Sequence, residues 1–78
     1  MKFPVDAPTH RVLATFAKLG FVVVREGNHV ALERRNADGT ATPMTIPNHA
    51  TIKGSTLRTI CRQAGIARDA FLNAWEES

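Results

Sequence analysis

Apolar residues recur along the chain in different rhythms, and each rhythm predicts an element. From Thr9 they fall three and four apart: Val12, Leu13, Phe16, Ala17 and Leu19 make one face of a helix over Thr9–Leu19. Thr9 is a candidate N-cap, and Gly20 stands where a C-terminal helix glycine belongs. The rhythm then becomes continuous. Phe21 and three valines open a strand over 21–26, and Gly27-Asn28 reads as a two-residue hairpin turn with positive φ. Residues 29–35 form the return strand, 36–39 a second turn and 40–46 a third strand, with Pro43 pointing to an edge position. Residues 47–54 read as a connecting loop. Helical spacing resumes over 55–65, where Leu57, Ile60, Cys61 and Ala64 share a face and Gly65 ends the element. Phe71, Leu72 and Trp75 support a short third helix within 67–78. Residues 1–8, with two prolines and no periodicity, read as an arm. The order is α-β-β-β-α-α, an α+β domain with a three-stranded antiparallel sheet.

Register decides which residues the sheet buries. A two-residue loop at Gly27-Asn28 sets Glu26 opposite His29. Phe21, Val23, Arg25, Val30, Leu32 and Arg34 then share one face, and Val22, Val24, Glu26, His29, Ala31 and Glu33 the other. A three-residue loop Ala37-Asp38-Gly39, with Gly39 left-handed, sets Leu32 opposite Met44 and Val30 opposite Ile46. A two-residue loop there would send Met44 and Ile46 to the other face, so burial selects the longer one. Helices need an apolar surface to cover, and this face is the large one available. His29 therefore lies on the opposite face or at its rim. Val22 and Val24 share that side and await a cover: a partner, the third helix or a second copy.

Composition narrows the class. The 78 residues make a single domain, and 44% hydrophobic against 22% charged residues describes a folded chain rather than a disordered one. One cysteine, Cys61, excludes a disulfide scaffold and a multi-cysteine zinc site; its place in a helical apolar stripe makes it a core residue. The N-terminal stretch MKFPVDAPTH lacks the apolar region of a signal peptide, and no window approaches the roughly 20 apolar residues of a membrane span, so the chain reads as cytoplasmic with no membrane partner. The net charge of +3 tolerates a polyanionic partner without demanding one.

Candidate chemistry begins with His29. Its imidazole suits proton transfer at neutral pH, and the plainer reading is a strand-edge histidine without a role. His29 faces Pro47 across the sheet, so His49 begins two residues further on, about 7 Å of extended chain. His49 is a second proton-transfer group, a phosphate contact or simply a solvated loop histidine; His10 reads as a surface residue. The histidines lack metal-ligand spacing and no carboxylates cluster with them, so neither a metal nor a cofactor is expected. Arg58 and Arg62 stand one turn apart on the polar side of the second helix, with Lys53 and Ser55 at its start, and Asp and Glu are absent from all of 39–68. An acid-free helix start bearing these cations suits phosphate groups of nucleic acid, though a solvated face would look the same. Arg25, Arg34 and Arg35 extend that surface.

These residues together resemble a known family. Leu19-Gly20-Phe21 entering a strand, Gly27-x-His29 at a turn, Ile46-Pro47 leaving a strand, and Lys53-Gly54-Ser55-Thr56-Leu57-Arg58 leading to Gln63-Ala64-Gly65 resemble the HicA-type (YcfA-like) toxins of bacterial toxin–antitoxin pairs. The resemblance covers 9–66 and leaves the arm (1–8) and the last helix (67–78) outside. It implies a double-stranded-RNA-binding-like α-β-β-β-α fold with helices on one face. It also implies metal-independent cleavage of mRNA, His29 as the catalytic residue, and a HicB-type antitoxin that covers the active site. Many members carry Gly-Ser-His-His where this chain has Gly27-Asn28-His29-Val30. Three functions follow as candidates: an endoribonuclease toxin, a non-catalytic RNA-binding module of the same fold, and a protein-interaction domain using Val22 and Val24.

Overall fold

The computed structural model describes residues 2–77. A short strand β1 (Asp6–Pro8) leads into α1 (Thr9–Lys18), followed by β2 (Val22–Glu26), β3 (His29–Arg35) and β4 (Ala41–Pro47). A second short strand β5 (Thr51–Lys53) leads into α2 (Gly54–Gln63), and α3 (Arg68–Glu76) ends the described chain. β2, β3 and β4 form an antiparallel sheet in that order, as the sequence predicts. Val30, Leu32, Met44 and Ile46 on one sheet face are buried in one cluster with Val12 and Phe16 of α1, Leu57 and Ile60 of α2, and Phe71 and Leu72 of α3. Each such side chain contributes roughly 1.5–3 kcal/mol by leaving water.

The second hairpin has the expected register: Val30 pairs with Ile46, Leu32 with Met44 and His29 with Pro47. Its loop is Ala37-Asp38-Gly39, with Gly39 at φ +88°. The Asn36 amide donates to Thr40 O at 2.8 Å and the Gly39 amide to Asn36 O at 3.1 Å. The Asp38 carboxylate accepts from the Thr40 amide (2.9 Å) and hydroxyl (2.6 Å), and these bonds to its charged form hold its pKa below the usual value. The Asn36 side chain donates to the hydroxyls of Thr40 and Thr42, bracing the turn from one side.

The first hairpin departs from expectation. Val22 pairs with Glu33 and Val23 with Leu32, but Arg25 pairs with Ala31 and Glu26 with Val30. Val24 is an extra residue, a β-bulge, and Glu26 is not opposite His29. Neither Gly27 nor Asn28 has positive φ, so the primed two-residue turn is absent. Three residues, Gly27, Asn28 and His29, separate the paired Glu26 and Val30, one more than in the expected turn, and the bulge at Val24 offsets that extra residue so that Val23 still meets Leu32. Val23, expected in the core, is 45% exposed, because β2 is the edge strand that lies beyond the helices' cover, whereas α2 packs on the other edge, β4. Val22 and Val24 are 62% and 58% exposed.

Two segments read as irregular are paired. Asp6, Ala7 and Pro8 lie opposite Lys53, Ile52 and Thr51 in a two-stranded antiparallel sheet. Three-residue strands are too short to show periodicity, and only the burial of Ala7 and Ile52 in the core betrays them. The arm is fixed further along its length. The Gly54 amide donates to Val5 O at 3.1 Å. Pro4 O lies so near Gly54 that a Cβ there would meet it at 2.8 Å, and the Phe3 ring stands 5.7 Å from Phe71. Thr9 does not cap α1; Pro8 takes the N-cap position. Thr9 instead donates through its hydroxyl to His49 O and through its amide to Ala50 O, 3.0 Å away.

The third helix packs within the core and leaves Val22 and Val24 uncovered. Its Phe71 lies 5.2 Å from Phe16. The Arg11 guanidinium sits 3.8 Å over the Trp75 ring and donates to Trp75 O at 3.0 Å, fastening α3 to α1.

Cys61, on the buried face of α2, is 2% exposed, and burial pushes its thiol pKa up to about 11. Between its ordinary value of 9.0 and about 11 the unfolded chain gives up this proton while the folded chain keeps it, so folding stability falls as pH rises through that window. The loss at this one site amounts to at most about 1.4 kcal/mol per pH unit. Urea unfolding between pH 9 and 10.5 should therefore show a steeper loss for the native sequence than for Cys61→Ala, and parallel slopes would disprove the assignment.

Candidate active site

His29 opens β3 and is exposed, on the face opposite the packed residues Val30 and Leu32. The strand alternation that buries its neighbour exposes it. The Val24 bulge matters here. Upstream of it the pairing follows the predicted register; downstream, Arg25 stands opposite Ala31. Arg25 thus shares a face with Ala31 and, by alternation along β3, with His29, whereas the sequence pattern assigned it to the core side. Glu26 moves the other way. A bulge commonly re-aims one side chain in this manner.

The histidine hairpin is anchored from below. The Gly27 amide donates to His29 O at 3.1 Å, and the Asn48 amide donates to Asn28 O at 3.3 Å. The Asn48 side chain donates to Gly27 O at 2.8 Å. Asn48 therefore straps the hairpin to the exit of β4, and the next residue is His49. Through Thr9, the backbone of His49 and Ala50 is in turn bound to the start of α1. Asn48 was invisible as a site residue in the sequence, where Pro47-Asn48 signals only a chain turn; its partner lies 21 positions away.

The remaining candidates gather in adjoining grooves that share lining residues. Lys53, Ser55 and Arg58 line a cavity of about 740 Å³. Arg58 and Arg62 share a neighbouring one of about 320 Å³. His49 and Lys53 share a third of about 400 Å³. His29 and Arg25 line none of these three. The sequence candidates thus fall into a hairpin pair, His29 with Arg25, and a groove set, Lys53, Ser55, Arg58 and Arg62. His49 bridges them through the β4 exit. The start of α2 has no acidic residue in its first turn and no side-chain cap, so the positive end of its dipole adds to Lys53 beside it. Among the described residues no three of His, Cys, Asp and Glu come together as a metal site. No helix is long and apolar enough to cross a membrane.

An α+β domain with an exposed histidine on a braced hairpin and a cationic helix start is the class these features define. The family model described as HicA toxin of bacterial toxin–antitoxin systems matches residues 10–66, and the chain belongs to that family. It is accordingly a toxin-type protein of a toxin–antitoxin system, with an antitoxin as its general class of partner. Searches of curated proteins and of solved structures return no match.

Replacing Asn48 with Ala removes the side-chain strap while leaving the backbone pairing. Asn48→Ala should lower stability by about 1 kcal/mol and speed amide exchange at Gly27 and Asn28 more than in β4. Unaltered exchange in the hairpin would show that the strap does not hold it.

Proposed function

We propose that the chain is a metal-independent endoribonuclease that cleaves mRNA by histidine acid–base catalysis. The observation that carries this reading is an exposed His29 on a hairpin braced by Asn48, with Arg25 turned to the same face by a bulge. Metal independence rests on the family resemblance. In the reaction the ribose 2′-oxygen attacks the adjacent phosphorus; the O2′–P bond forms and the P–O5′ bond breaks. His29 takes the 2′ proton or supplies one to the departing 5′-oxygen, and His49 is the candidate for the complementary transfer. Arg25 and Lys53 offer positive charge to the phosphoryl oxygens as negative charge builds on them. Ser55, Arg58 and Arg62 hold neighbouring phosphates.

The decisive measurement is a gel of RNA incubated with the protein in EDTA. Fragments are expected with the native chain. His29→Ala, with an unchanged circular dichroism spectrum, should lower cleavage by about 10²–10⁴-fold or more. Undiminished cleavage by that variant sinks the assignment; salt-sensitive binding without fragments from the native chain favours the non-catalytic RNA-binding module.

A second reading concerns the uncovered edge strand. Three adjacent exposed valines, Val22, Val23 and Val24, favour a protein-docking role. We assign that role to the HicB-type antitoxin. Val22→Asp should weaken capture of the antitoxin without altering RNA cleavage by free toxin; equal capture would remove the valines from the interface.

A further inference from the structure

Two cations outside the family-matched segment 10–66 converge on the groove at α2. Lys2, from the arm, and Arg68, the first residue of α3, line the same cavity of about 740 Å³ as Lys53, Ser55 and Arg58. Four positive side chains from three separate stretches of chain thus face one concavity. None of these four side chains has an ion pair or hydrogen bond among the described residues. Arg58 and Arg68 also line the adjoining cavity, together with Arg62. On the other side Lys53 continues into the cavity that holds His49. Asp6, the cross-strand partner of Lys53, is the one carboxylate among the described residues along this whole path.

The arm delivers Lys2 by construction. The β1–β5 pairing, the Gly54–Val5 hydrogen bond, the close approach of Pro4 to Gly54 and the packing of Phe3 on Phe71 fix the backbone immediately after it. A chain of cations running from His49 past Lys53 to Arg62, with like charges left unneutralised, matches a ligand that is itself a chain of anions.

We propose that this groove tracks the phosphodiester backbone of single-stranded RNA beyond the scissile phosphate. Lys2 and Arg68 bind two phosphates that the shared family unit does not reach, and Asp6 limits the groove's affinity. The inference rests on the RNA reading above and extends the footprint of that site onto the arm and α3.

The test is fluorescence anisotropy with a fluorescein-labelled 2′-O-methyl single-stranded RNA, which lacks the attacking hydroxyl and stays intact, titrated over a range of salt. Lys2→Ala with Arg68→Ala should weaken binding about tenfold, and the slope of log K against log salt should shrink by about 1.4, or about 0.7 for each phosphate no longer neutralised. Asp6→Asn should tighten binding, an effect of opposite sign that a folding defect does not produce. Lys2→Arg with Arg68→Lys should keep the native slope. An unchanged affinity and slope in the double alanine variant overturns the proposal, and does so alone if native protein still binds and cleaves RNA. Native binding with no cleavage of unmodified RNA overturns the catalytic reading and leaves the groove standing; no RNA binding at all overturns both.

Discussion

The pairing of β3 with β4 is the constraint on which the rest of the molecule depends. Val30, Leu32, Met44 and Ile46 reach the core only in the register that sets Val30 against Ile46. A slip of one residue on β4 would turn Met44 and Ile46 to solvent, at roughly 1.5–3 kcal/mol for each side chain. The register is locked at one end by the left-handed Gly39 and the Asn36–Asp38–Thr40 hydrogen bonds. At the other end Asn48 ties β4's exit to the first hairpin. Since side chains alternate, burying Val30 exposes His29; the core and the candidate site are two sides of one packing decision.

From that fixed point the chain is stitched outward by ties between residues distant in sequence. Thr9 joins the start of α1 to the backbone after β4, β1 joins the arm to β5, and Gly54 joins the start of α2 to Pro4 and Val5. In a domain this small each tie is a sizeable share of the margin between folded and unfolded states. The same ties bring His49, Lys53 and the arm to one side, so stability and the shape of the groove have a common origin.

Much of this was legible in the sequence, for identifiable reasons. The helices announced themselves through Val12, Phe16, Leu57 and Cys61 at helical spacing, and the β3–β4 register through the demand that Val30, Leu32, Met44 and Ile46 be buried together. The exposed position of His29 followed from that register. The Val24 bulge was hidden because a bulge trades one pairing for another without changing composition, and Gly27-Asn28 looked like a sufficient turn. Its concealment put Arg25 on the wrong face. The β1–β5 ribbon was hidden because its pairing joins residues far apart in the chain, and three residues carry no rhythm. Val23 showed the limit of face assignment: sharing a side with Leu32 does not bury a residue on a strand that no helix covers. The groove's extent was hidden too, since nothing in the local pattern links Lys2 or Arg68 to α2.

The Val24 bulge has a consequence for pairing between molecules. β2 is an edge strand with three adjacent exposed β-branched residues, the kind of segment on which another chain's strand can add. A regular edge would offer evenly spaced unpaired amides and carbonyls along its length. Here the spacing breaks at Val24, so the uninterrupted template ends after Val22 and Val23. The extra residue that brings Arg25 to the face of His29 also interrupts the strand as a template on which a second chain's strand could add.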